Sequence, residues 1–327
     1  MDDFRGKLAV ITGGGSGMGR AIAQQLTSEG CHIAICDMSA ESMAETRELC
    51  QAAMPEETRI SEHLCDVSDE EQVLAFRDAV MAEHATDQIN LLFNNAGIGG
   101  GGSFLLDDRD EWEKTFGVCW YGVYYCARAF LPLLVASDEG HIINTSSVNG
   151  FWASLGPRTS HTAYSAAKFG VKGFSEALVN DLRLNAPHVK VSVVMPGHIG
   201  TGIVANSGIV LGHPDPLALP AEGVAAARRR MAQQGLPVEN LSDDEIRAAL
   251  KQLASDFREN APTTAAQAGS IILDGVRQDR WRILVGDDAH ALDEAVRAHP
   301  QDAYEEQFMD RIRADGHLGG LSAPVEE

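Results

Sequence analysis

Along the first two thirds of the chain, short runs of β-branched and aliphatic residues alternate with longer segments of helical apolar periodicity. The runs are "KLAVIT" from Lys7, "HIAIC" from His32, "RISEHL" from Arg59, "INLLFN" from Ile89, "HIINTS" from His141, "KVSVVM" from Lys190 and "RILVG" from Arg282. Short runs of this kind, regularly interrupted by amphipathic segments, read as strands linked by crossover helices. Helices are expected at Met18–Ser28, Ala40–Ala52, Asp69–His84, Asp110–Val135 and Tyr164–Leu184, the third capped by Ser68 with Glu71 three residues on. The pattern predicts an α/β fold: a doubly wound, seven-stranded parallel sheet with helices on both faces.

From Ala205 to Pro262 the rhythm changes. "SGIVLGHPDPLALP" reads as loop, and helical stretches near Ala221–Gln234 and Ser242–Asn260 follow with no strand between them. Residues 205–262 are therefore expected to form a helical insertion, a lid over a substrate site, inside a single domain of residues 1–286 that ends with a helix at Thr263–Val276 and the seventh strand. Residues 287–327 form a C-terminal extension with two readings: a surface helix with a frayed end, or a subunit contact that covers Phe308, Met309 and Ile312.

Composition narrows the partners. A formal charge of −21 argues against nucleic acid or an anionic membrane surface and favours a small molecule. The apolar run near the N-terminus is too short for a leader or a span, so a cytoplasmic location is expected. Six cysteines without a CxxC pair, and no histidines at ligand spacing, read as reduced thiols with no metal.

The candidate chemistry lies where strands end. "ITGGGSGMGR" puts Thr12, Gly13, Ser16, Gly17, Met18 and Gly19 between the first strand and the first helix. There glycines admit a pyrophosphate, and free N–H groups at the helix start attract it. Asp37 ends the second strand, where a carboxylate accepts ribose hydroxyls and repels a 2′-phosphate. NAD is thus favoured over NADP, with Arg20 as the one residue that could soften the preference. "CDVS" and "NNAG" follow the third and fourth strands, again at carboxyl ends that face a ligand. In "HTAYSAAKFG", Tyr164 and Lys168 share a helical face, an arrangement in which an ammonium can lower a phenol's pKa toward neutrality.

Taken in order, TGxxxGxG, the strand-ending Asp37, NNAG, a serine strand and YxxxK closely resemble the short-chain dehydrogenase/reductase family over about Lys7–Thr201 and again at Thr263–Gly286. The resemblance implies one Rossmann-like domain carrying cofactor and substrate together, usually in homodimers or homotetramers. It implies that Thr12, Gly13, Ser16, Gly17, Met18 and Gly19 meet the cofactor phosphates and adjoining ribose, and that Asp66 and Val67 flank adenine. Asn94, Ala96 and Gly97 would support the sheet and the nicotinamide side, while Pro196, Gly197, Ile199 and Thr201 would hold the nicotinamide. Ser147, Tyr164 and Lys168 would be the catalytic set: Tyr164 the general acid/base, Lys168 its electrostatic partner and a ribose contact, Ser147 the donor to the substrate oxygen.

Ser147 and Tyr164 stand 17 apart, more than in many relatives, so "FWASLGPRTSHTA" holds an enlarged loop. Val148, Phe151 and Trp152 are the candidate substrate contacts, suggesting a hydrophobic or bulky alcohol or ketone. The family's relay asparagine is replaced by Cys119, a weak donor. Two readings follow: backbone carbonyls and water carry the proton, or the chain is an impaired, cofactor-binding regulator or scaffold. An epimerase or dehydratase of the extended relatives is disfavoured by the TGxxxGxG form and the lack of a separate substrate domain.

Overall fold

The computed structural model describes residues 1–156 and 158–314, without the side chains of residues 309, 311, 313 and 314. The order is β1 (Leu8–Thr12), α1 (Gly17–Ser28), β2 (His32–Asp37), α2 (Ala40–Gln51), β3 (Ile60–Leu64), α3 (Glu70–His84), β4 (Leu91–Asn94), α4 (Arg109–Phe116), α5 (Gly122–Val135), β5 (Gly140–Thr145) and α6 (Thr162–Asn185). There follow β6 (Val189–Pro196), β7 (Ile199–Gly200), α7 (Ile203–Val210), α8 (Ala221–Gln233), α9 (Asp243–Glu259), β8 (Thr263–Thr264), α10 (Ala265–Arg277), β9 (Arg282–Val285), α11 (Asp287–Ala298) and α12 (Glu306–Ala314).

The seven predicted strands form one parallel sheet in the order β3-β2-β1-β4-β5-β6-β9. Two apolar layers sandwich it. One holds Ile11, Ile35, Phe93 and Val194 against α1 and α10; the other holds Val10, Leu92 and Ile142 against α3, α5 and α6. Strands covered on both faces explain the near-continuous apolar runs. The order reverses between β1 and β4, which opens a crevice at their carboxyl ends.

Three local readings change. The single helix expected at Asp110–Val135 is interrupted by a π-helical turn at Gly117–Tyr121. Such a turn adds a residue without disturbing the apolar pattern, and it brings buried Cys119 toward Ile98. This stretch is long and apolar enough to cross a membrane, but its apolar face is taken up by β4, β5 and α3. The cap of α3 is Asp69, not Ser68: Asp69 accepts from the N–H groups of Glu71 and Gln72, while Ser68 bonds Asp66. The stretch Ser207–Pro220 read as loop contains the second half of α7, and β7 pairs with β8 in a two-stranded sheet, too short to show in the pattern.

The insertion has its own small core of Val224, Met231, Val238 and Ile246. Its α9 starts with a Ser242–Glu245 capping box. After β9, α11 and α12 fold back onto the loop that follows β5.

Candidate active site

Gly13 and Gly17 bend the chain at φ +65° and +53°, a region L side chains rarely enter. A Cβ on Gly19 would lie 2.1 Å from the Gly13 carbonyl oxygen, so glycine alone lets α1 start this close to the turn. The Gly14 N–H donates to the Cys36 carbonyl, and the Gly15 N–H to Asp37 Oδ2 at 3.0 Å. The Thr12 hydroxyl accepts from the N–H groups of Asn95 and Ala96, each at 3.0 Å. These bonds tie the ends of β1, β2 and β4 into one rim.

Along the rim runs a cleft of about 420 Å³. Of the predicted residues, Gly13, Ser16, Gly17, Met18 and Asp37 line one side, Asp66 and Val67 the next, and Ala96, Gly97 and Thr201 the inner end. Thr12, Gly19, Asn94, Pro196, Gly197 and Ile199 stand outside the lining. Thr12 stitches the rim, and Asn94 donates to Asn144 Oδ1 at 2.8 Å across the sheet. Burial raises the Asp66 pKa, but hydrogen bonds from Lys114 and Ser68 outweigh it and hold the carboxyl below its usual value. Sequence reasoning missed Asn95, Val118 and Asn206 in the walls. Asn206 donates to Ser16 Oγ at 3.2 Å, so α7 of the insertion closes over the glycine turn.

Ser147, Tyr164 and Lys168 meet behind the inner end. Ser147 follows β5; its hydroxyl accepts the Asn149 N–H at 3.1 Å and lies near enough to the Tyr164 phenol to oppose a rise in its pKa. Lys168 is 2% exposed; its Nζ lies 5.4 Å from the centre of the Tyr164 ring and donates to the Thr145 carbonyl at 2.8 Å. Gly97 connects triad and cleft, since a Cβ there would sit 3.4 Å from Lys168 Nζ. Ser146, as expected of a backbone-bonding residue, donates to the Lys168 carbonyl at 2.7 Å. The phenol differs from expectation: burial pushes the Tyr164 pKa up, with Cys119 adding to the rise and Ser147 opposing it. Burial also lowers the pKa of Lys168, with Cys119 opposing. Cys119 Sγ donates to the Ile98 carbonyl at 3.2 Å.

The three substrate-contact candidates are placed elsewhere. Trp152 is 2% exposed, its Nε1 donates to the Ala303 carbonyl at 2.6 Å, and its ring packs on Phe308. Val148 and Phe151 join the same cluster with Leu292 and Ile312. The apolar residues of the C-terminal extension need cover, and this loop supplies it; Phe308 and Ile312 are therefore buried within their own chain. Met309 lies outside the described side chains. The His198 ring packs tilted on Phe257 of α9 with ring centres 4.2 Å apart, and its backbone N–H donates to Asp288 Oδ2 at 2.6 Å. Asp288, in α11, thus holds the turn after β6, and sequence reading missed it.

The chain has relatives among known proteins. The family model of the short chain dehydrogenases matches residues 7–209. The oxidoreductase SadH of Mycobacterium tuberculosis is 39% identical over 65% of this chain and 74% of its own. Epidermal retinol dehydrogenase 2 of Mus musculus is 33% identical over 61% of this chain and 62% of its own. Among solved structures, a short chain dehydrogenase/reductase from Burkholderia phymatum in complex with NAD superposes with a TM-score of 0.70 at 28% identity, covering 100% of both chains. A metagenomic short-chain oxidoreductase in complex with NADP gives 0.52 at 28% identity over 77% of this chain and 92% of that one. With well over half its length matched by the family model and its fold superposing along the whole chain on a member of that family, the chain belongs to the short-chain dehydrogenase/reductase family of oxidoreductases.

Proposed function

We propose that the protein transfers a hydride between NAD(H) and a secondary alcohol or the matching ketone. The observation that carries this is the convergence of Ser147, Tyr164 and Lys168 behind the inner end of a glycine-rimmed cleft. The rim fits a dinucleotide: the chain at Gly13 and Gly19 is packed too closely for any side chain, so the turn meets the cleft as bare backbone, and Asp37 stands at the far end for ribose hydroxyls. Arg20 supports NAD over NADP, because its guanidinium is already engaged by Glu45 at 2.7 Å and the Gly15 carbonyl at 2.6 Å. The family relatives solved with NAD and with NADP show that the fold accepts either, so Asp37 decides.

When bound, the nicotinamide supplies or accepts the hydride. The chain's own residues handle the proton. Tyr164, kept protonated by burial, gives its proton to the carbonyl oxygen as charge develops there, and Ser147 donates a second hydrogen bond to that oxygen. In the oxidative direction Tyr164 must lose its proton, and the Lys168 ammonium stabilises the phenolate. Cys119 gives its one weak donor to Ile98, so proton exchange at Lys168 runs through water held by backbone carbonyls near Thr145. Exposed Tyr121, Tyr124 and Phe169 on α5, α6 and the turn before α5 support assembly as a homodimer or homotetramer.

The test is Tyr164→Phe, assayed by NADH absorbance over a panel of alcohols and ketones. Turnover should fall roughly 10²- to 10⁴-fold, with NADH binding retained. Wild-type turnover in the variant would overturn the reading.

A further inference from the structure

A second cavity, of about 450 Å³, lies beside the triad. Its walls come from the loop after β4 (Gly100 to Asp107), the end of the enlarged loop (Arg158 to His161) and the last turns of α8 in the insertion. His161 joins the two sites: it belongs to this wall, and its ring centre lies 4.7 Å from that of Tyr164.

The charge in this wall runs against the rest of the molecule. The chain has 26 Lys and Arg against 47 Asp and Glu, yet Arg158, Arg229 and Arg230 all line this cavity. Its two carboxylates are already committed. Asp107 accepts the Ser103 N–H at 2.8 Å and faces Arg230 at 3.6 Å; Glu111 accepts the Gly101 N–H at 3.0 Å and faces His213 at 3.2 Å. Arg158 and Arg229 make neither an ion pair nor a hydrogen bond among the described residues. Arg158, itself exposed, lies along Gly235, where a Cβ would come within 2.7 Å of its Nη1. Burial lowers the His161 pKa to about 4, so at neutral pH it adds no charge between the arginines and Tyr164. A guanidinium fork pairs best with a carboxylate or phosphate.

We propose that this cavity binds an anionic oxygen group, a carboxylate or a phosphate ester, at the end of the substrate remote from the reacting carbon, with Arg158 and Arg229 as its donors. The link to substrate rests on Tyr164 being the acid/base of the proposed reaction; the anion site itself does not. The substrate class becomes a keto acid or hydroxy acid, or the corresponding phosphate ester, in place of a purely apolar ketone.

The test is calorimetric titration of the full chain with adipate, suberate and hexyl phosphate, in wild type, Arg158→Gln, Arg229→Gln, the double variant and Arg183→Gln, an exposed arginine of α6. Each single change should weaken binding roughly tenfold and the double change more, with Arg183→Gln unchanged. Binding by the dicarboxylates alone or by the phosphate alone would fix the group. Equal affinity in wild type and double variant, or no binding of any probe to wild type, would overturn the proposal. Matched keto acids and their methyl esters then give a kinetic readout: the acid-to-ester ratio of kcat/KM should fall at least tenfold in the double variant. If wild type turns over no ketone or alcohol, the hydride-transfer reading fails while the titration still decides the anion site.

Discussion

Around the glycine turn, backbone N–H groups are the donors: Gly14 to the Cys36 carbonyl, Asn95 and Ala96 to the Thr12 hydroxyl, Gly15 to the Asp37 carboxylate. Around Trp152, side chains bury side chains: Val148, Leu292, Phe308 and Ile312 fill one another's gaps, and one indole hydrogen bond fixes the register. The first region depends on residue types that nothing else replaces, since a Cβ at Gly19 has nowhere to go. The second depends on volume, which many residues supply. Cofactor binding is thus written in geometry, and the attachment of the C-terminal extension in packing.

The largest effect should come from breaking the packed region. Trp152→Ala removes a fully enclosed indole and should cost about 3–5 kcal/mol in chemical denaturation. Hydrogen exchange should rise across α11 and α12 while α1 stays protected. Loss of protection in both at once would show that the two regions are one cooperative unit.

Acid should act in the opposite place. Burial lowers the pKa of His141, in the sheet, to about 4 from an ordinary 6.5, and that of His84, in α3, to about 4 as well. The unfolded chain then takes up protons first, so stability present above pH 6.5 is lost as pH falls toward 4. For the fully buried His141 the loss approaches about 3 kcal/mol. Denaturation midpoints at pH 7 and pH 4.5 should show it, and His141→Asn should flatten the difference; the Trp152 cluster contains no histidine to contribute.

The smallest change sharpens the rim. Asp37→Ala should cut the NAD over NADP ratio of kcat/KM about tenfold, the scale of one charge-assisted hydrogen bond. An unchanged ratio would mean that Asp37 serves only the Gly15 and Ser39 N–H groups it already accepts.

Legibility in the sequence followed the same division. The glycine turn, Asp37, NNAG and YxxxK were readable because backbone strain and proton chemistry demand particular residues at particular spacings. The inner strands were readable because burial on both faces leaves a near-continuous apolar run, and edge strand β3, with Ser61, Glu62 and His63 inside it, because it falls between two helical segments. The partner of Trp152 was not, since an aromatic after β5 could equally face a pocket or a returning helix. Asp288 resembled any acidic residue at a helix start; only the fold shows it beneath Gly197, where a Cβ would come within 2.2 Å of its Oδ2. The π turn left no trace either, because the helical pattern survives one extra residue.

The pairing of Ile199–Gly200 with Thr263–Thr264 has a further consequence. It brings the two ends of the insertion to neighbouring strands, about 4.8 Å apart, whatever lies between them. Closing a chain whose ends are already pinned costs little extra as it lengthens, about 0.6 kcal/mol per doubling. Between these pinned ends the insertion can change length at little cost, whereas α7, bonded to Ser16 through Asn206, and α9, packed on His198 through Phe257, remain tied to the rest of the fold.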